Sequence, residues 1–580
     1  MSESNDKPVY GDVPFRIRVG VVGRHDLSDP ASIVAQLDHV LDTKIYPCSL
    51  RERWFGARAE PGRIVDLFDC RSRRAIARAR HTPIVFGVVT TLAEGAERLV
   101  AEKVLQVPGS RIQVVLPYAP ADYIEELDTP ASREEFKRLY RSARHPVALH
   151  GSRADRERAR VIAGRHVVNR CDVLIAVCDA SAADRNSPEV SATVAYAKQK
   201  QRPVITIAAQ PPHDITCTRG HGLNAESLGG IERLNALLIE PATLNEYVDN
   251  VYTQTFSGPK ASEARASRAV ADSEVPDHAR EVIRKHLIPF YARASSVAKK
   301  NQQAYLRAGL WVYILAPLAV AAVVLATLFE PLNWVGFSIE FVLLFTILVI
   351  VVGTDRGRAR KKWIETRFLA ERLRSGMFLA ACGVEAAHTR VSPYRVGLRR
   401  SDEWMERTFQ EIWGRMPRLG PCWGGTCDGF IAFIQRNWIA DQITYHQGKA
   451  KDAGRRSRWL ERGGVAIFVL ALVAAACHLA LTWGVHGPHD SLAHKALTFL
   501  AVVLPAVGAS CGGIRTHREY SRLEKRSEAM VDELTDLQES FAEVSTTEDF
   551  EIRLTETEEL MLHETQDWLM LMGTMKLEAA

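Results

Sequence analysis

The chain has 580 residues, a net charge of +5 and ten cysteines. That length holds several domains, and so small a positive excess gives no case for a nucleic-acid partner. Ten scattered cysteines do not make a secreted disulfide framework, and the amino terminus MSESNDKPVYGDVPF lacks the basic and apolar regions of a signal peptide.

Residues 15–22 (FRIRVGVV) read as a buried strand running into Gly23, Arg24, His25 and Asp26. Asp29-Pro30 starts a helix with apolar positions at Ile33, Leu37, Val40 and Leu41. A second strand over 83–89 leads into Thr90, Thr91, Leu92, Ala93, Glu94 and Gly95, then into a helix with Ala96, Leu99, Val100 and Val104 on one side. Strands over 112–116, 173–177 and 204–208, with a helix over 189–200, continue the alternation. This pattern predicts βαβ units around a parallel sheet, an α/β domain over residues 1–240. Ligands bind such sheets where strand ends meet helix starts. The expected ligand-binding residues are therefore Gly23, Arg24, Asp26, Thr90, Thr91, Glu94, Gly95 and Asp179.

The stretches VGVVGRHDL, TTLAEGAERLVAEKVL, QVVLPYAPADYIEEL, VVNRCDVLIAVCDA and VAYAKQKQRPVITI resemble a SLOG domain. This is the Rossmann-like fold of DNA-processing A proteins, cytokinin-activating hydrolases and the amino-terminal regions of melastatin-type TRP channels. The resemblance covers roughly residues 10–240 and is sharpest over Leu92–Arg98 (LAEGAER), close to the family's LAEGAD. It implies a nucleotide-derived ligand. Two departures stand out. Gly23-Arg24-His25-Asp26 replaces the family's Gly-His-Arg-Asp, and Pro188-Glu189-Val190 replaces a Gly-Gly-Thr turn. A glycine pair lets backbone N–H groups approach a phosphate; proline removes a donor, and Glu189 repels an anion. The family's hydrolytic motif is not intact, so catalysis is not expected, and no cofactor or metal is called for.

Residues 241–305 are polar and rich in alanine, and read as a linker followed by a helix from about Pro276. Two apolar stretches within 306–356 each reach the roughly 20 residues that cross a bilayer core, joined at Glu330-Pro331. Residues 357–462 return to soluble helical character, with helices over 401–415 and 430–462. Between them, Cys422 and Cys427 have no second pair to complete a zinc site. A second hairpin occupies 463–515, and residues 516–580 form an acidic helical tail with apolar stripes at Leu523, Met530, Leu534, Leu537 and Phe541, then Phe550, Leu554, Met561, Leu562, Trp568 and Leu569. The fold expected after the first domain is thus an all-α membrane region with four transmembrane helices in two hairpins. Basic residues flank both hairpins (Lys299, Lys300, Arg307, Arg356, Arg358; Arg455, Arg456, Arg458, Arg515, Arg518), whereas the loops hold only Lys495. The positive-inside rule then puts both termini in the cytoplasm of a multi-pass inner-membrane protein.

NWIADQITYHQGKA and LPAVGASCGGIRTHREYSRLEKRSEAM resemble SLATT domains, two-span modules that accompany SLOG and nucleotide-signal proteins in bacterial conflict systems. FLAERLRSGMFLAACG in the first half is similar in layout. The resemblance implies a membrane effector in defence, acting as a homo-oligomer. Within the spans, Glu340 and His478 are the ionisable groups expected to face the bundle. Gly508 and Gly512 have the GxxxG spacing of close helix approach. The combined expectation is a sensor–effector whose cytoplasmic domain binds a nucleotide-derived signal and whose spans perturb the bilayer. The alternatives are a membrane-anchored nucleoside-phosphate hydrolase and a non-catalytic scaffold.

Overall fold

The buried apolar runs become the strands of one sheet. The computed structural model describes residues 11–27, 29–40, 80–143, 146–179, 188–220, 225–236, 241–257, 274–384, 403–417, 419–420, 427–484 and 491–574. In chain order come β1 (Phe15–Gly23), α1 (Pro30–Val40), β2 (Ile84–Thr90), α2 (Ala96–Leu105), β3 (Arg111–Leu116), α3 (Pro120–Glu125), α4 (Pro130–Ser142) and β4 (Val147–Ala148). They are followed by α5 (Arg156–Arg170), β5 (Val173–Val177), α6 (Pro188–Gln199), β6 (Val204–Ile207), β7 (Ile215–Thr218) and α7 (Ala225–Asn235). The sheet order is β4-β3-β2-β1-β5-β6-β7, parallel throughout except where β7 pairs antiparallel with β6. Parallel neighbours require crossover connections, which the helices supply. β5 (VLIAV) is buried at every residue, as expected of a central strand covered on both faces. β7 (ITCT) is half-exposed or exposed throughout and carries no apolar run to announce it.

The remainder is helical. The stretch expected to be a linker opens instead with α8 (Pro241–Ser257), whose Leu244, Val248 and Phe256 are buried at helical spacing. α9 (Asp277–His286) ends at Leu287. Then come α10 (Ile288–Leu328), α11 (Asn333–Gly357), α12 (Ala359–Ala381), α13 (Glu403–Trp413) and α14 (Asp428–Ile434). A π turn over Gln435–Ile439 leads into α15 (Ala440–Gly484), α16 (Leu492–His517), α17 (Tyr520–Ser540) and α18 (Thr547–Thr574). The Cys422 half of the cysteine pair lies outside the described residues; Cys427 is a buried free thiol.

Among the described residues, four helices are long and apolar enough to cross a membrane, beginning in α10, α11, the α14–α15 run and α16. α10 has 41 residues and α15 has 45. At about 1.5 Å per residue each is roughly twice the thickness of a hydrocarbon core. Only part of each is apolar, so the rest continues as a polar bundle. In the apolar parts the large side chains point outward: Phe341 is 69% exposed and Leu472 63%. Trp311, Trp334, Trp459 and Trp483 are all exposed near the ends of these stretches, where interfacial belts form. α10 crosses α16 at two glycines. A Cβ on Gly309 would lie 2.0 Å from His517 Nε2, and one on Gly513 would lie 2.2 Å from the Tyr313 ring. The polar bundle has a core of its own, with Phe378 stacked on Trp438 at 4.7 Å between ring centroids and Arg372 paired with Glu558 at 2.5 Å between α12 and α18.

The chain divides into two compact units that do not follow its order. One comprises residues 1–238 with 388–415, the other 239–387 with 416–580. α13, expected within the helical region 357–462, thus belongs to the α/β unit. Its apolar face (Trp404, Met405, Phe409, Ile412, Trp413) is buried there. Its polar groups are buried too. Arg407 Nη2 donates to Asp172 Oδ1 at 2.7 Å and Nη1 to Oδ2 at 3.1 Å. Arg16 Nε donates to Glu411 Oε1 at 2.7 Å, and Arg18 Nη2 to Gln410 Oε1 at 2.9 Å. Burial pushes the Glu411 carboxyl up, but the Arg16, Arg111 and Arg18 guanidiniums outweigh it and hold it below the ordinary range. Arg16, Arg18 and Asp172 sit at the amino-terminal side of β1 and β5, so α13 closes the edge of the sheet opposite its ligand edge.

Candidate ligand cleft

The chain builds the sheet outward from β1 through β2 and β3, then returns to place β5 on the other side of β1. That reversal leaves a crevice beyond the carboxyl ends of the strands, the usual ligand position in such folds. A partly open cleft lies there. Gly23 at the end of β1 and His25 just beyond it, Thr91 and Ala93 after β2, and Pro117 after β3 form one part of its lining. Glu97 of α2, Tyr123 of α3, Arg160 and Gly164 of α5, and Glu189 and Thr193 of α6 complete the polar and small residues.

The loop between β2 and α2 is built around Glu97. Its Oε2 accepts from Thr90 Oγ1 at 2.7 Å, from Thr91 N and Thr91 Oγ1 at 2.8 Å, and from Ala93 N at 3.4 Å. Burial pushes this carboxyl up while those donors pull it down; burial wins. The neighbouring Arg98 is buried and holds the loop from the other side, donating to Leu92 O at 3.0 Å and pairing with Glu135 at 2.9 Å. Gly95 turns the chain at φ 78°, and a Cβ there would come within 2.1 Å of His25 O. No L side chain is accommodated at that contact. The donors that would cradle a ligand anion in this loop are therefore already turned toward an internal carboxylate.

The expected ligand residues consequently separate. Gly23 and Thr91 line the cleft. Thr90 is buried beneath it, bound to Glu97. Glu94 accepts a hydrogen bond from Ser132 Oγ and is not among the lining residues. Arg24 and Asp179 pair across the switch point at 2.5 Å, the ends of β1 and β5 bringing them together. Asp26 is exposed. Glu189 lines the cleft, and its carbonyl accepts from Thr193 Oγ1 at 2.8 Å. Sequence reading missed Glu97, Tyr123 and Arg160. Arg160 reaches Glu126 at 3.2 Å, and Arg156 reaches the same carboxylate at 3.0 Å. Only the i, i+4 spacing of those two arginines in RERARVIAGR hinted at this basic face. Tyr123 is buried, which pushes its hydroxyl up, with Glu97 adding to the effect.

The expected membrane residues also separate. Glu340 is half-buried on α11. His478 does not pair with it: His478 Nε2 lies 3.1 Å from His494 Nε2 and 3.1 Å from Thr498 Oγ1, within its own hairpin. Gly508 faces α15, its added Cβ falling 3.7 Å from Gly464 O, whereas nothing lies within 4 Å of Gly512. The tight α10–α16 contact uses Gly513 instead.

Comparison with known proteins adds no name to this arrangement: no family model matches the chain, and neither a curated protein nor a solved structure is detectably similar.

Proposed function

We propose that the protein is a membrane sensor–effector. The α/β unit binds a nucleotide-derived signal in the cleft beyond β1 and β5, and the span-length helices respond as a pore or membrane-perturbing device. The SLOG-like and SLATT-like stretches motivate this reading, including its place in bacterial defence, its cytoplasmic termini and its assembly as a homo-oligomer. The observation that carries it is the chain path. α13 lies between the two hairpins in sequence, yet it is buried in the α/β unit through Arg407–Asp172 and Arg16–Glu411. A domain serving only as a passenger needs one covalent link to its anchor. This one has three chain crossings, at 238/239, 387/388 and 415/416. Strain arising in the α/β unit therefore has a covalent route to both hairpins.

Anion recognition falls to groups around the cleft rather than to the β2–α2 loop. Arg160 and Arg156 are held by Glu126, and Arg24 by Asp179; a phosphate arriving there exchanges one anionic partner for another. The test is full-length protein in dye-loaded liposomes, challenged with mononucleotides, cyclic nucleotides and dinucleotide signals. Release with one nucleotide class, abolished in Arg160→Ala, is expected. Impermeability with every nucleotide counts against the effector role. Release of free base from a nucleoside monophosphate would identify the hydrolase instead, with Glu97→Gln the first variant to examine.

A further inference from the structure

We propose that the loop end of the second hairpin binds a transition-metal ion between His478 and His494. The two residues come from different helices, α15 and α16, and their rings approach to 4.3 Å between centroids at 51°. Their Nε2 atoms are 3.1 Å apart. Two nitrogens bound to one metal at about 2.0–2.1 Å, with an angle of about 90–110° between the bonds, lie roughly 2.9–3.4 Å apart. The pair thus already has the spacing of a cis chelate. Thr498 Oγ1 lies beside the pair, 3.1 Å from His478 Nε2. Its own proton goes to His494 O at 2.9 Å, so the hydroxyl presents oxygen lone pairs to the site.

Imidazole nitrogens suit copper, nickel and zinc. Among the described residues no group of three or more His, Cys, Asp or Glu side chains forms a metal cluster. The remaining coordination positions therefore go to Thr498 and to water. Both histidines are half-buried. The neighbouring Lys495 ammonium lies over the Phe329 ring at 5.1 Å. A bound ion ties α15 to α16 near their connection and opposes their separation. This site is independent of the nucleotide cleft, and its failure would leave that reading untouched.

The experiment is calorimetric titration of the full-length, metal-stripped protein in detergent, purified without a polyhistidine tag. Copper(II) is expected to bind at one equivalent per chain and more tightly than zinc, following the usual order for nitrogen ligands. His478→Asn and His494→Asn should each weaken binding by about tenfold or more. The double variant His486→Ala, His489→Ala in the adjoining loop should leave it unchanged. Electron paramagnetic resonance of the copper form should report two imidazole nitrogens, a readout that requires no variant. Unchanged affinity in both single variants, loss only in the loop double variant, or a spectrum without two nitrogen donors would each overturn the site.

Discussion

β5 and α11 are both strongly apolar, yet they treat their side chains in opposite ways. Val173 to Val177 are all buried, whereas Phe341, Leu344, Phe345 and Leu348 of α11 are each more than half exposed. The strand removes its apolar surface from water by packing against protein. The helix leaves its surface bare because hydrocarbon is its solvent, and its backbone hydrogen bonds close within the segment. Composition alone does not distinguish the two; run length does. Five residues suit a strand, while the roughly 20-residue runs of the spans match a bilayer.

Substitutions sharpen this contrast. The largest effect is expected at Ile175→Asp, which places a carboxylate where exposure is zero. The cost should exceed about 4 kcal/mol and unfold the α/β unit, read as protease sensitivity of residues 80–236. Leu344→Asp, on the outward side of α11, should cost about 2.5–3.5 kcal/mol in membrane insertion. It should leave the denaturation of the α/β unit unchanged. Between these two in size falls Arg407→Ala, which takes the guanidinium away from Asp172 at zero exposure. A loss of about 3–5 kcal/mol in chemical denaturation is expected, recovered only in part by Arg407→Met with Asp172→Leu, because the Arg18 N–H then loses its Asp172 acceptor.

Within the membrane region the comparison becomes finer. Gly513→Val drives a side chain into the Tyr313 ring and should cost about 1–3 kcal/mol in thermal unfolding in detergent. Gly512→Val, with nothing within 4 Å, should be close to silent; equal effects would refute the α10–α16 crossing. The smallest effect concerns His446, buried in the polar part of α15. Burial lowers its pKa below the ordinary 6.5; Glu564 opposes this, and Arg374, Lys449 and Arg367 reinforce it. The folded state therefore favours the neutral ring. Its contribution is complete above about pH 6.5 and is lost as pH falls from there through the folded-state pKa. Denaturation midpoints between pH 7.5 and 5 should fall for the wild type, and less steeply for His446→Gln.

Apart from β4, whose two residues make no run, the parallel strands were legible as short apolar runs, and the spans were legible by length. β7 was not, because an antiparallel edge strand with exposed side chains needs no apolar pattern. α5 was hidden by its charge; its buried face consists largely of Ala159, Ala163 and Val167, too small to stand out. A cleft does lie at the strand ends where a ligand was expected, but the arrangement inside it was not foreseeable. That Glu97 rather than Glu94 turns inward depends on which face of α2 meets the sheet. Likewise, GxxxG spacing marked Gly508 and Gly512, while the helix rotation selected Gly513. Residues at one helical turn can be read from spacing; which of them points at a neighbour is set by packing.

The position of α13 also constrains how the molecule is made. The sheet is encoded before Leu238, but the helix that closes its amino-terminal edge ends at Trp413. At a synthesis rate of about 5–20 residues per second, a nascent chain waits roughly ten to thirty-five seconds between the two. During that interval the first hairpin must leave the ribosome and find lipid while Asp172 has yet to meet Arg407. The α/β unit thus reaches its final form only after the first hairpin has been made, and a fragment ending at residue 240 would be an unfinished intermediate rather than a domain.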